Sequence, residues 1–332
     1  MKPYQIFGRT CGPEVFFLLG FSVCLSLMYI ISIYNRPIAS VEPTLNIRDQ
    51  PDAPNQSKVF KWTGKGWQRL INFCTWSDFH DCSMLKTPNG DTPIFHHDPK
   101  HDYTSGILMN SGMKEPQTIR SILDYLAHDH SITFLDVGAH VGSIGLQMAK
   151  VGYTVVTVDP LPENVGRLCK SVERGRFVDS VTILFSPVSD AHKTVAFKRK
   201  WNIGETKVEL VSTEHTEYKT ATPSCELSPL LSSTATLDNV LPFIKSHKVF
   251  VKIDVESHEY FVIKGAEEFF RQKEVVGIFM EWIHVKKTPE AVTLISLLNN
   301  YGFKAYELNT MVEALINEDY KNWPMDVIWK RP

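Results

Sequence analysis

The stretch Thr133–Lys150, TFLDVGAHVGSIGLQMAK, constrains the fold more than any other part of the chain. An apolar run, Phe134-Leu135, leads into Asp136. A loop of small residues follows, with Gly138, Ala139 and Gly142, and a helical pattern starts at once, with Ile144, Met148 and Val151 on one face. A strand that passes through a glycine loop into a helix lets the backbone approach a bound nucleoside closely. A second β-rich stretch, Thr154–Val158, ends in Asp159. That is about 20 residues after the loop, where the acidic residue of such a unit meets ribose hydroxyls.

The loop also excludes readings. The dinucleotide fingerprint G-x-G-x-x-G needs Gly at position 140, where this chain has His140, and no Lys-Ser/Thr pair follows to hold phosphates. What remains is D-x-G-A-x-x-G, a loop for a small ligand without a pyrophosphate. Asp136 repels a phosphate and favours a cation. S-adenosylmethionine, with its sulfonium and ammonium, suits such a site. Asp136, Gly138, Ala139, Gly142 and Asp159 are therefore candidate cofactor residues. The bland alternatives are a tight turn for the glycines and a helix cap before Pro162 for Asp159.

From residue 116 onward, helical and strand patterns alternate, which predicts an α/β fold with a mostly parallel sheet and helices on both faces. Helices are expected at 116–128, 143–151, 162–173, 236–243, 259–264, 266–271 and 289–300. Strands are expected at 133–137, 154–159, 181–185, 195–199, 249–253, 275–279, 304–308 and 326–330. Residues 200–234 carry many Ser, Thr and Glu without periodicity and read as an insertion or lid.

A third motif, Lys252-Ile253-Asp254-Val255-Glu256-Ser257-His258-Glu259, follows the 249–253 strand. On a strand end Asp254 and Glu256, two apart, point the same way. Ligands of open α/β sheets bind outside the carboxyl ends of the strands. Asp254, Glu256 and His258 are thus catalytic candidates, with Glu281 able to join them. An unperturbed His titrates near neutrality, so His258 is the first candidate base and Glu256 the second. Oxygen ligands from Asp254, Glu256 and Glu281 would suit Mg²⁺ or Ca²⁺, but no metal ligand is assigned.

These residues carry a resemblance. FLDVGAHVG (134–142), VVTVDPLPENVGRL (155–168), SPVSD (186–190), VKIDVESHEYFVIKGA (251–266) and the Glu-Trp pair at 281 resemble the FkbM-type methyltransferases, a branch of the class I S-adenosylmethionine-dependent fold. The family typically reads K-x-D-x-E-G-x-E followed by a helix ending in K-G-A. Lys252, Asp254, Glu256, Glu259, Lys264, Gly265 and Ala266 fit, and Ser257 stands where Gly is usual. The resemblance implies a Rossmann-like, seven-stranded, mostly parallel sheet with one antiparallel strand near the C-terminus. It also implies S-adenosylmethionine as cofactor, Asp190 as a further cofactor residue, and O-methylation of a hydroxyl on a sugar or small molecule. The rival reading, supported by Ser257, is a tethered binding module that kept the fold and lost catalysis.

The N-terminus adds a tether. Val15–Ile33 holds no charged residue. About 19 helical residues span about 28 Å, close to the thickness of a bilayer's hydrocarbon. Five segments follow: a short tail (1–14), a single-pass transmembrane anchor (15–34), a Pro- and Asn-rich stem (35–58), an extension (59–115) and the methyltransferase-like domain (116–332). The sequon Asn55-Gln56-Ser57 and the four cysteines after the span favour a luminal domain in the endoplasmic reticulum or Golgi. Cys74 and Cys82 are close enough in sequence to pair, and Cys169, on an apolar helical face, reads as a buried thiol. His96, His97 and His101 read as exposed loop histidines. A net charge of −2 gives no sign of a nucleic-acid partner. The expected partners are the bilayer and a hydroxyl-bearing acceptor, a glycan among the choices.

Overall fold

Strands covered on both faces by helices read as unbroken apolar runs, and the central strands here do so. The computed structural model describes residues 56–75, 81–198, 200–210 and 231–332. In chain order the strands are β1 (Lys58–Trp62), β2 (Trp67–Leu70), β3 (Cys82–Leu85), β4 (Thr92–Phe95), β5 (Thr133–Val137), β6 (Thr154–Asp159) and β7 (Val181–Phe185). They continue with β8 (Thr194–Lys198), β9 (Lys207–Leu210), β10 (Leu231–Ser233), β11 (Lys248–Ile253), β12 (Glu274–Glu281), β13 (Lys304–Glu307) and β14 (Asp326–Lys330).

The main sheet has the order β13-β14-β12-β11-β5-β6-β7-β1-β2. From β12 to β1 every pairing is parallel, while β14 runs antiparallel to both β12 and β13. The sheet is therefore the expected mostly parallel one, but it has nine strands rather than seven. The two extra strands come from the extension: β1 pairs in parallel with β7, and β2 folds back on β1. Strand 195–199 does not join this sheet. As β8 it sits between β10 and β9 in a separate three-stranded antiparallel sheet.

Helices α1 (Tyr103–Ser111), α2 (Pro116–Leu126), α3 (Ser143–Val151) and α4 (Pro162–Gly175) precede β7. Pro116 and Pro162 both sit in the first turn, where a missing N–H costs nothing. After β11 come α5 (Glu259–Lys264), α6 (Glu267–Gln272), α7 (Trp282–Val285) and α8 (Ala291–Asn300). Two apolar layers result, one on each face of the sheet. Leu135, Val251 and Ile278 point into one and Phe134, Phe250 and Phe279 into the other. Adjacent strand residues thus serve opposite layers, as the strand pleat requires.

The cysteine expectation is corrected. Cys74 pairs with Cys169 on α4, with Cα atoms 5.3 Å apart, and Cys82 is free and exposed. Closeness in sequence gave the wrong partner because β3 carries Cys82 away while the short turn Phe73–Thr75 packs on α4. The histidine expectation is corrected in part: His96 and His97 are buried and His101 is exposed. Val15–Ile33, the stem up to Asn55 and Cys225 lie outside the described residues. Among those described, no helix is long and apolar enough to cross a membrane.

Candidate active site

The carboxyl ends of β5, β6 and β11 meet at one cavity of about 460 Å³, within the usual size range of small-molecule sites. Gly138 makes the meeting of β5 and β11 possible. Its φ is +83°, and a Cβ there would lie 1.8 Å from the carbonyl oxygen of Asp254. Only glycine fits both demands.

Beneath this junction lies a buried charge cluster. The Lys252 ammonium is 3.1 Å from Asp136 Oδ1 and 3.4 Å from Asp254 Oδ2, and it donates to the Gly138 carbonyl at 2.7 Å. Burial disfavours a charged lysine, yet Asp136 and Asp254 outweigh it and hold the ammonium protonated. The sequence reading of Asp136 changes accordingly. Its carboxylate is fully buried, accepts from the Gly145 amide and faces Lys252; it does not line the cavity. One lysine between two carboxylates leaves one net negative charge, and the partner that reaches the cavity is Asp254. Ala139 and Gly142 also lie behind the cavity wall, where they shape the loop.

Asp159 lines the cavity. Its Oδ2 accepts from the His140 amide at 2.8 Å, and its Oδ1 accepts from the Leu161 amide at 2.9 Å and Asn164 Nδ2 at 3.0 Å. Burial pushes its carboxyl up to about 6 in spite of these donors. Behind it stands a network with little sequence signal. His97 Nε2 is 2.6 Å from Asn164 Oδ1, its ring stacks on His140 at 5.4 Å, and His140 Nε2 is 3.3 Å from Asp102 Oδ1. Burial, then the charges of His140 and Arg167, hold His97 down at about 3, so it is neutral. His140 occupies the loop at φ +53° and lines the cavity. The departure from glycine at 140 was visible in the sequence; its partners, 38 and 43 residues upstream, were not.

Part of the cavity wall is acidic. Glu115, Asp254, Glu256 and Glu281 line it, with Lys114 and His284 beside them. Asp254 and Glu256 both reach the cavity, though not by strand alternation. β11 ends at Ile253, and Glu256 and Ser257 lie in a turn at φ +56° and +79°. The Glu259 carboxylate holds that turn by accepting from the amides of Val255 and Ser257. Burial, then Asp254, pushes Glu256 up to about 7; the same two causes push Glu281 up to about 8. Asp254 stays below the ordinary range, because Lys252 and Lys114 outweigh its burial.

His258 also lines the cavity, but its Nε2 is 3.0 Å from Ser189 Oγ, and burial lowers it to about 4. Asp190 lies outside the cavity lining, ion-paired with Lys193 and, at 3.0 Å, with Lys264. Gly265 packs against the same segment, since a Cβ there would lie 2.3 Å from the Ser189 carbonyl oxygen. The S-P-V-S-D and K-G-A pieces are thus two halves of one packing contact. Among the described residues the one group with metal-ligand convergence is Cys74, Cys169 and Glu173, whose sulfurs form the disulfide.

The family profile described as "Methyltransferase FkbM domain" matches residues 136–305, from the glycine loop through β13. The chain belongs to the FkbM methyltransferase family. The FkbM domain therefore takes S-adenosylmethionine as its methyl donor, and the cavity presents a glycine junction, a buried carboxyl at the end of β6 and several further carboxyls in its wall. Among solved structures, a TehB-like SAM-dependent methyltransferase from Corynebacterium glutamicum is similar at 10% identity and TM-score 0.38, over 71% of this chain and 100% of that one. Magnesium protoporphyrin IX methyltransferase from Synechocystis, with bound SAM, is similar at 13% identity and TM-score 0.36, over 65% of this chain and 79% of that one. These likenesses are remote, and the family assignment rests on the 136–305 match. No curated protein sequence matches the chain.

Proposed function

We propose that the protein methylates a hydroxyl oxygen of a polyhydroxylated acceptor, a glycan first among the candidates, from a membrane tether at Val15–Ile33 with its FkbM domain in a secretory lumen. The observation that carries this reading is one cavity whose wall holds both the β6-end carboxyl Asp159 and, about the Gly138–Asp254 contact, the carboxyls Asp254, Glu256 and Glu281. S-adenosylmethionine supplies a methyl group already activated on sulfur, so the protein's task is alignment and proton removal. Asp159 offers its remaining lone pairs to ribose hydroxyls. Asp254 places negative charge toward the sulfonium. Glu256 takes the acceptor's proton, because a base with a proton affinity matched to neutral pH is the most effective. This moves the base from His258, which is too weak, to Glu256. The cavity is lined by several carboxylates and by the exposed residue Tyr103, groups that suit a sugar offering hydroxyls on its edges and C–H bonds on its face. The Cys74–Cys169 disulfide supports an oxidising compartment.

Calorimetry of S-adenosylmethionine with the full-length chain tests the first step, with Asp159→Ala as the weakened control; no heat from the wild type sinks the proposal. Transfer of labelled methyl to a pool of free oligosaccharides tests the second. Glu256→Gln should slow it by about 10²–10⁴-fold, and His258→Gln should leave the proton-transfer step intact. One observation favours the binding-module reading: Ser257 at φ +79° strains the turn. Tight cofactor binding with no methyl transfer to any glycan or lipid would select it.

A further inference from the structure

The segment Trp201–Lys207 forms a strap along the cavity, with Asn202, Ile203, Gly204, Glu205 and Thr206 lining it. One end of the strap is tied to the loop before α1: the Ile203 amide donates to the His101 carbonyl at 3.1 Å, and the Tyr103 amide donates to Asn202 Oδ1 at 3.2 Å. The other end reaches the catalytic turn, where Lys207 Nζ donates to Ser257 Oγ at 3.3 Å. Ser257 follows Glu256 in two consecutive left-handed residues, neither of them glycine. A side chain kept at such a position costs about 1–2 kcal/mol that glycine would not. What its hydroxyl adds, and glycine could not, is the seat for Lys207.

We propose that Lys207 is a positioning residue: seated on the Ser257 hydroxyl, it latches the strap to the turn that carries Glu256 and keeps its positive charge near that carboxyl. The role of Glu256 as base rests on the methyl-transfer reading above; the latch and its charge effect do not. The charges that face Glu256 come from three elements. Asp254 on its own turn, Glu205 on the strap and Glu281 at the end of β12 oppose its ionisation, while Lys207 and Lys200 favour it. Lys200 is spent on Glu205 at 2.9 Å, and Asp254 is paired with Lys252. That leaves Lys207, placed through Ser257, as the foremost of the cations that favour ionisation of Glu256 against its burial and Asp254.

The test titrates the full-length chain labelled with ¹³C at the glutamate carboxyl carbons, with Glu256→Gln marking the Glu256 signal. Lys207→Met should raise the Glu256 midpoint by about half to one pH unit, and Ser257→Gly should raise it less. Amide exchange across 201–207 should quicken in both variants. S-adenosylhomocysteine binding, measured by calorimetry, should stay within about twofold of wild type and shows that each variant is folded. An unmoved midpoint with unchanged exchange in variants that still bind S-adenosylhomocysteine overturns the latch. Failure of the wild type itself to bind S-adenosylhomocysteine would overturn the methyltransferase reading and leave the latch to be judged by its midpoint alone.

Discussion

In the proposed cofactor role, Asp159 joins binding and stability in a single carboxyl group. Its folded value, pushed up to about 6 by burial, lies above that of the unfolded chain. Its stabilising contribution is therefore full below about pH 4 and is lost as pH rises through 6. A ribose diol that donates to the ionised form acts in the opposite direction. S-adenosylmethionine affinity should thus rise as pH passes from 5 to 7, and should be flat in Asp159→Asn, which cannot ionise. Calorimetry at both pH values checks this, and an equal slope in the variant would refute it. Asp159→Ala also strands the donors of His140, Leu161 and Asn164 and should cost about 2–3 kcal/mol of stability. At this scale the sequence was half legible. Gly138 and Asp159 could be placed because their spacing is local. Asp136 could not, because its partner Lys252 comes 116 residues later and spacing within one motif cannot show a pairing between two.

The β5 loop and the β11 turn behave as one element, stapled by Lys252. Removing that cation leaves Asp136 and Asp254 buried side by side without a counter-charge, a change that costs about 3–5 kcal/mol. Lys252→Met should lower the unfolding midpoint accordingly, and the added Asp136→Asn should restore part of the loss. A single-variant loss below about 1 kcal/mol in denaturant titration would show that the cluster is not a staple. The same element explains why the K-x-D-x-E motif reads as catalytic while half of it is architectural. Lys252 staples and Glu259 holds the turn, and of the motif's four fitting charged residues Asp254 and Glu256 are the two that face the cavity. Most helix and strand positions after residue 116 were legible from apolar periodicity and proline placement, though β9, β10 and α7 were not. The strap and the β1–β2 hairpin were not, since short polar segments take their form from what they pack against.

Across the whole molecule, the extension is joined to the FkbM domain by sheet pairing, by the histidine network and by one covalent link. The Cys74–Cys169 bond closes a separation of 95 residues and fixes the Phe73–Thr75 turn on α4, the helix that also carries Asn164. A loop of that length confers about 2–4 kcal/mol, mostly by limiting the unfolded chain. Reduction should therefore lower the thermal midpoint by several degrees and loosen the extension first. Because His97 on the extension orients Asn164, and Asn164 orients Asp159, reduction should also weaken S-adenosylmethionine binding by a few-fold. Non-reducing peptide mapping of the full-length chain should recover a Cys74–Cys169 cross-link, with Cys82 open to alkylation. Recovery of a Cys74–Cys82 link, or a thermal midpoint indifferent to both reductant and Cys169→Ser, would break this account. It would detach the extension from the cofactor side of the cavity, leaving residues 116–332 to bind the nucleoside on their own.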